Sequence, residues 1–237
     1  MKGTKMESIR AVITCEQTNV FIDNSNPIIA EHFDNPVNYA DVVLNYMNGN
    51  RMYDPYLSGL KNLAVLDLGA NIGLFTLYAL PCSKKIVAVE PSAHHYKVLV
   101  EMTKKYPNVV AVQAAVNSID GLVNFTTHEF NTTMNSIVNN YGFANAESVV
   151  AKSIQTLMKE NDLTEIDFVK CDIEGGEMSL FTEDMLSDTK GKIKCWVIEV
   201  HPTTFTQQQN LTTITNMFIK GGYKVVQINH ETICCTI

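Results

Sequence analysis

The chain has 237 residues, which is enough for one large α/β domain with a modest extension and for a core that needs no disulfide staples. Hydrophobic residues make up 46% and charged residues 18% of the sequence, and this balance excludes wholesale disorder. The formal net charge of −7, without a dense run of Lys or Arg, argues against a nucleic-acid partner and against binding to an anionic membrane surface.

The sequence predicts a cytoplasmic protein with reduced thiols. Its longest apolar stretches fall far short of the ~20 residues that span a bilayer, and the first residues show no apolar segment typical of a secretory signal. None of the six cysteines forms a C-x-x-C pair, and several lie inside apolar runs. Reduced core thiols are therefore favoured over a disulfide framework or a zinc site.

Residues 1–60 are predicted to form an N-terminal extension, made of a short hairpin and an amphipathic helix. Apolar residues at 9–13 and 20–22 indicate the two hairpin strands. Asn35 and Pro36 are typical of a helix start, the apolar residues that follow share one face, and Gly49 ends the helix.

From residue 61 onward, strands and helices alternate. Nearly continuous apolar runs predict parallel strands that are covered on both faces. In chain order, the first predicted elements are a strand at 63–68, a helix at 74–80, a strand at 85–90, a helix at 92–106 and a strand at 108–115. This order predicts one half of a doubly wound α/β sheet.

An insertion at about 117–150 interrupts this alternation. Asp120 and Gly121 form a strong turn pair, and the alternating residues 122–130 are typical of an exposed strand. The Asn- and Thr-rich stretch that follows favours loops and an inserted hairpin.

Helices and strands alternate again after the insertion, until two consecutive strands end the sequence. The predicted elements are a helix at 153–159, a strand at 166–172, a helix at 177–185, a strand at 194–200, a helix from Thr206 to Gly221, and strands at 223–228 and 231–237. Only two residues join the last two strands, so they must be antiparallel. Residues 61–237 are therefore predicted to form an α/β domain with a mostly parallel seven-stranded sheet and a C-terminal antiparallel hairpin.

The first chemical motif lies where the first strand meets its helix. Gly69 and Gly73 have the spacing G-x-x-x-G rather than the G-x-G-x-x-G of dinucleotide binders, and Asp67 precedes them. A carboxylate there would repel a pyrophosphate and would favour a cationic ligand group, such as an α-amino group or a sulfonium. Glu90, at the end of the second strand, is placed to accept the hydroxyl protons of a ribose. Together these features predict S-adenosylmethionine as the cofactor.

Four segments of the chain, 65–73, 89–92, 168–177 and 198–201, resemble the successive motifs of the FkbM-type methyltransferases. The resemblance covers about residues 53–228, and its most specific part is the D-x-E-G-x-E block that begins at Asp172. It implies a Rossmann-like class I methyltransferase that depends on S-adenosylmethionine and mostly methylates hydroxyls of sugars or secondary metabolites. It implies that Asp67, Gly69, Asn71, Gly73 and Glu90 line the cofactor site and that Ala115 lies near the adenine. Ser92 and Asp172 are further candidates for cofactor binding.

Three titratable residues are predicted to meet at the carboxyl edge of the sheet. Asp172 ends the fourth strand, and Glu199 and His201 end the fifth with the same parity, so both point to one face. Open α/β sheets bind ligands at this edge. Asp172, His201 and Glu199 are therefore the candidate catalytic residues.

Two chemistries fit these residues. In the favoured one, His201 is a general base oriented by a carboxylate, Asp172 contacts the acceptor or the cofactor amine, and no residue is assigned to a metal. In the alternative, Asp172 and Glu199, with or without His201, hold a divalent cation that lowers the pKa of the acceptor hydroxyl. Glu174 and Glu177 are interpreted as acids that favour a helix N-terminus, and Lys170 as a partner that neutralises Asp172.

Two other protein classes are weighed against an S-adenosylmethionine-dependent methyltransferase. A short-chain dehydrogenase is disfavoured, because the chain has no Tyr-x-x-x-Lys pair and the wrong glycine spacing. A non-catalytic protein that keeps the cofactor pocket is opposed by the acids and the histidine at the sheet edge. We expect a small-molecule or carbohydrate acceptor, and neither a nucleic acid nor a membrane as partner.

Overall fold

The computed structural model describes residues 10–15, 18–23, 46, 49, 51–128 and 144–237. In the N-terminal segment, β1 (Arg10–Cys15) and β2 (Thr18–Asp23) pair as an antiparallel hairpin. Tyr46 and Gly49 are helical, and the other residues of the helix predicted after Pro36 lie outside the described part.

A seven-stranded sheet organises the rest of the chain. Its strands are β3 (Leu63–Leu68), β4 (Ser83–Val89), β5 (Val109–Val112), β9 (Phe168–Cys171), β10 (Cys195–Glu199), β11 (Lys224–Gln227) and β12 (Thr232–Thr236). The spatial order is β11-β12-β10-β9-β3-β4-β5. The pairs from β5 to β10 are parallel, whereas β12 is antiparallel to both β10 and β11. This arrangement confirms the predicted class I sheet with its C-terminal antiparallel hairpin.

Short helices cover both faces of this sheet. They are α1 (Asp54–Leu57), α2 (Leu74–Ala79), α3 (Ala93–Thr103), α4 (Ile154–Glu160), α5 (Glu177–Leu180), α6 (Glu183–Thr189) and α7 (Gln207–Lys220). Every residue of β3 and of β9 is buried, as expected for central parallel strands with helices on either side. Within the described residues, none of the helices has both the length and the apolar composition needed to traverse a bilayer.

Two predicted elements differ from the structure. The strand predicted at 108–115 ends at Val112, because the chain then leaves the large sheet and Ala115 pairs with Ala151 in a separate one. The helix predicted at 177–185 is divided into α5 and α6. Phe181 is extended and 1% exposed, and the Thr182 side chain caps a new helix by accepting a hydrogen bond from the Met185 N–H.

The insertion forms a second, three-stranded sheet. Its strands are β6 (Ala115–Val116), β7 (Gly121–His128) and β8 (Ala144–Lys152), with β8 in the middle. Asp120 connects this sheet to α4, because its carboxylate accepts hydrogen bonds from the Ser153 N–H and the Thr156 hydroxyl, both at 2.6 Å. The pKa of Asp120 is lowered, chiefly by the hydrogen bond from Thr156.

Candidate active site

Two glycines shape the loop between β3 and α2. Gly69 has φ +72°, and a Cβ atom added there would lie 1.8 Å from the carbonyl oxygen of Asp172. Gly73 has φ +93°, and an added Cβ would lie 2.8 Å from Leu99 Cδ1. Both positions therefore require glycine, for the positive φ and for the close approach of a neighbour. The first of these contacts brings the loop directly against Asp172.

Glu90 holds the same loop from the end of β4. Its side chain is buried, and its two oxygens accept hydrogen bonds from the Asn71 N–H at 2.8 Å and from the Ser92 N–H at 2.9 Å. A carboxylate oxygen can accept a second hydrogen bond. Glu90 is therefore ordered beside the glycine loop and can still accept a hydroxyl proton from a ligand.

Ser92 and Ala115 have structural contacts of their own. The Ser92 hydroxyl caps α3 by accepting a hydrogen bond from the His95 N–H at 3.4 Å. Ala115 is 2% exposed and starts β6. A contact of either residue with the cofactor stays a prediction.

Asp67 lies beneath the loop rather than at its surface. Its carboxylate is fully buried, accepts a hydrogen bond from the Thr76 hydroxyl at 2.5 Å, and has its other oxygen 3.7 Å from Lys170 Nζ. Burial raises the pKa of Asp67, while Lys170 and Thr76 oppose this shift. The structure therefore places the carboxylate of Asp67 inside the protein, and the open edge of the sheet carries the charge of Asp172 instead.

Lys170 connects the buried acid to the exposed one. Its ammonium donates a hydrogen bond to the Gly69 carbonyl at 2.7 Å and lies 3.2 Å from Asp172 Oδ2. The predicted pairing of Lys170 with Asp172 is present. Its additional contacts with Asp67 and with the loop backbone depend on the alignment of β3 with β9, which no local sequence pattern shows.

Asp172, Glu199 and His201 come together at the carboxyl edge of β9 and β10. Each offers a ligand atom within 4.8 Å of the other two. Nε2 of His201 is 3.7 Å from Asp172 Oδ1 and 3.7 Å from Glu199 Oε1. All three side chains are partly exposed, so a ligand can reach them. We call these three residues the edge cluster.

Glu177 is the carboxylate that orients His201. It is 0% exposed, and its Oε1 is 3.0 Å from His201 Nδ1 and accepts a hydrogen bond from the Ile173 N–H at 3.1 Å. Glu177 lies at a helix start, as predicted, whereas its contact with His201 was not predicted. The two residues are 24 positions apart and belong to different elements, so no spacing rule could have joined them.

The surrounding carboxylates control the protonation of His201. Burial lowers its pKa, but the hydrogen bond and charge of Glu177, with the charges of Asp172 and Glu174, outweigh burial and raise the pKa to about 10. Burial also raises the pKa values of Glu174 and Glu199 to about 7. With its pKa raised in this way, His201 favours the protonated form at neutral pH, and positive charge entering the cluster would lower that pKa.

Tyr53 is a further residue near the edge cluster. It is the last residue of the turn Arg51–Tyr53, is 3% exposed and packs on Phe75 with ring centroids 4.8 Å apart. Burial raises the pKa of its hydroxyl; Lys170 lowers it, and Asp172 raises it. Tyr53 is thus a packed core residue whose phenol lies within electrostatic reach of the site.

Comparisons with known proteins place this geometry in a family. Curated proteins give no match. Among solved structures, a SAM-dependent methyltransferase from Aquifex aeolicus is similar at 13% identity and TM-score 0.46, over 90% of this chain and 97% of that one. The fibrillarin pre-rRNA processing protein of Methanococcus jannaschii is similar at 13% identity and TM-score 0.46, over 100% and 85%. Residues 67–225, more than half of the chain, match the methyltransferase FkbM domain. By this match, the chain belongs to the FkbM methyltransferase domain family.

Proposed function

We propose that this protein transfers the methyl group of S-adenosylmethionine to a hydroxyl oxygen of a sugar or small metabolite. The observation that carries the proposal is the contact between the glycine loop and the edge cluster. The Asp172 carbonyl fills the space where Gly69 lacks a side chain, while the Asp172 carboxylate belongs to the cluster. A cofactor on the loop would therefore have its reactive end beside these side chains.

The charges at the site support a cationic cofactor. Glu90 is ordered at the end of β4, where a ribose would lie, and Asp172 and Glu199 supply negative charge at the sheet edge. S-adenosylmethionine carries a sulfonium and an α-amino group, and both are attracted by these carboxylates. A pyrophosphate would be repelled.

The reaction needs alignment and a route for one proton. The acceptor oxygen attacks the methyl carbon, the carbon–sulfur bond breaks, and its electron pair stays on sulfur to leave S-adenosylhomocysteine. Alignment of the two reactants can contribute roughly 7–11 kcal/mol to lowering the barrier. The hydroxyl proton leaves through the edge cluster, either to His201 acting as the base or with the help of a bound cation.

Calorimetry and a labelled-cofactor assay test the proposal. We expect the purified chain to bind S-adenosylhomocysteine and not NAD⁺, and to transfer label from S-adenosylmethionine to at least one member of a panel of hydroxylated sugars and metabolites. His201→Gln should retain binding of S-adenosylhomocysteine and lose transfer, which separates catalysis from a cofactor-binding role. Binding of NAD⁺ without S-adenosylhomocysteine would refute the proposal.

A further inference from the structure

The edge cluster has the dimensions of a cation site. Its three ligand atoms, two carboxylate oxygens and one imidazole nitrogen, all lie within 4.8 Å of one another. Ligand atoms held at about 2.1–2.4 Å from one cation are roughly 3.0–4.8 Å apart in octahedral geometry. The three donors can therefore contact a single ion with only side-chain adjustment.

The orientation of His201 is an independent feature that points to a ligand. The fully buried Glu177 lies against Nδ1 at 3.0 Å, so Nε2 is the nitrogen that faces Asp172 and Glu199. A histidine that binds a metal usually donates its other ring N–H to such a carboxylate, which fixes the ring and increases its basicity. The second oxygen of Glu177 is buried without a hydrogen-bond partner among the described residues. A buried carboxylate costs free energy unless it is paired, and the side-chain partner of Glu177 is Nδ1 of His201.

The balance of charged groups around His201 also favours a cation. Four carboxylates lie within 3.7 Å of His201: Asp172, Glu174, Glu177 and Glu199. In the part of the chain that the structure describes, the lysine paired with this group is Lys170, and Asp67 shares it. Counting Asp67, five carboxylates therefore surround two groups that can be cationic, Lys170 and His201, in a partly buried place. A divalent cation would remove most of the excess of negative charge.

We propose that Asp172, Glu199 and His201 bind one divalent cation at the sheet edge, with Glu177 as the positioning residue for His201. The two carboxylates favour Mg²⁺ or Mn²⁺, and the imidazole nitrogen favours Mn²⁺ of the two. The site is too short of sulfur ligands for a soft metal.

The role of this cation rests on the proposed methyl transfer. Bound to the acceptor, it would coordinate the hydroxyl oxygen and lower its pKa, so that the proton passes to solvent water as the oxygen attacks the methyl carbon. His201 then acts as a ligand and not as the base. The acceptor class that fits best is a hydroxyl with a second oxygen on the neighbouring carbon, as in sugars, because two adjacent oxygens can chelate one ion.

Binding of Mn²⁺ to the metal-stripped full chain tests the site without reference to activity. Electron paramagnetic resonance should show the signal of free Mn²⁺ falling as one ion binds per chain. Glu199→Gln and His201→Gln should each weaken this binding about tenfold or more, and Glu177→Gln by about tenfold. The matched control is Glu183→Gln. Glu183 is an exposed acid on α6 that pairs with Lys220 of α7, and the variant should bind Mn²⁺ like the unaltered chain.

The outcomes separate the cation site from the methyltransferase function. Failure of the unaltered chain to bind Mn²⁺ overturns the site. Mn²⁺ binding that is weakened equally in Glu183→Gln also overturns it, since the ion would then associate only with surface charge. Transfer that continues at full rate in chelated protein overturns the role of the cation and leaves the proposed function intact. Mn²⁺ binding without any binding of S-adenosylhomocysteine keeps the site and overturns the proposed function. Thermal unfolding of each variant shows whether it is folded. If either Glu199→Gln or His201→Gln fails to fold, Mn²⁺ binding by the other still tests the site.

Discussion

Lys170 is the residue on which the charge arrangement of the site depends. It is 5% exposed, and its ammonium lies between the buried Asp67 and the partly exposed Asp172. Burial alone would lower the pKa of Lys170, but Asp172 and Asp67 raise it above its ordinary value. The lysine is therefore charged, and it compensates a carboxylate that has no access to water.

Lys170→Met is expected to destabilise the fold by about 3–5 kcal/mol, because it leaves the charge of Asp67 buried without a partner. Urea denaturation would measure this change. The control is Lys220→Met, in which both partners of the ion pair are exposed, and its free energy of unfolding should change by less than about 0.5 kcal/mol. Asp67→Asn combined with Lys170→Met should recover part of the loss. Equal free energies of unfolding for Lys170→Met and Lys220→Met would contradict this account.

Gly69 allows a second prediction at the scale of one residue, since the chain contains a matched glycine. Gly59 has φ +75°, close to the +72° of Gly69, but an added Cβ at Gly59 meets nothing within 4 Å. Gly59→Ala should therefore cost only the strain of the left-handed backbone, about 1–2 kcal/mol. Gly69→Ala should cost this strain and the collision with the Asp172 carbonyl, and should also abolish binding of S-adenosylhomocysteine. Unfolding measurements would compare the stabilities of the two variants, and calorimetry would compare their binding of S-adenosylhomocysteine. Equal stability and equal binding in the two variants would rule out the collision with the Asp172 carbonyl.

At the scale of elements, Asp167 ties together the starts of three strands. One carboxylate oxygen accepts a hydrogen bond from the Ala64 N–H in β3 at 2.8 Å, and the other accepts one from Lys194 Nζ, just before β10, at 2.7 Å. Burial acts to raise the pKa of Asp167, but these hydrogen bonds and the charge of Lys194 lower it overall. The same carboxylate immediately precedes β9, so it aligns β3, β9 and β10, whose other ends carry the edge cluster.

The lowered pKa of Asp167 predicts a pH-dependent contribution to stability. A group whose pKa is lower in the folded state stabilises the fold above its unfolded pKa, about 3.9, and this stabilisation disappears as the pH falls through the folded value. Asp167→Asn should therefore destabilise the protein by about 1 kcal/mol at neutral pH, with a difference that shrinks below about pH 4. Chemical denaturation over a pH series measures it. Glu165→Gln, the more exposed partner of Lys194, serves as the control and should have a smaller effect. A difference that stays constant down to low pH would exclude the ionised carboxylate as its source.

For the whole molecule, the C-terminal strand is the element that completes the sheet. The last strand in the chain, β12, lies between β10 and β11 rather than at an edge, and Cys235 at its centre is fully buried next to Trp196 of β10. Removal of this strand would expose the hydrogen-bonding edge of β10 and leave β11 without its partner strand.

Deletion of residues 230–237 should therefore abolish cooperative unfolding. The chain has a single tryptophan, and Trp196 is 0% exposed, so its fluorescence reports directly on this part of the core. We expect its emission to shift to longer wavelength in the deletion, whereas removal of Ile237 alone, which is 61% exposed, should leave emission and cooperativity unchanged. A blue emission maximum in the shortened chain would contradict the role assigned to β12.

Local sequence patterns were sufficient to predict the strands of the sheet and the strand ends that carry the candidate catalytic residues. Continuous apolar runs identified the parallel strands, and the two-residue connection near the end required the antiparallel hairpin, because both signals are local. Strand parity also brought Glu199 and His201 to one face, and the structure places them within reach of Asp172.

The contacts that hold these residues in place could be seen only in the folded protein. The burial of Asp67, the position of Lys170 between two acids and the contact of Glu177 with His201 depend on which strands and helices become neighbours. Residue 115, predicted to end a strand of the large sheet, pairs with a strand more than thirty positions away. Periodicity describes what one segment buries. It carries no information about which distant side chain will contact a given residue. At this site the distant side chain is Glu177, and its contact raises the pKa of His201.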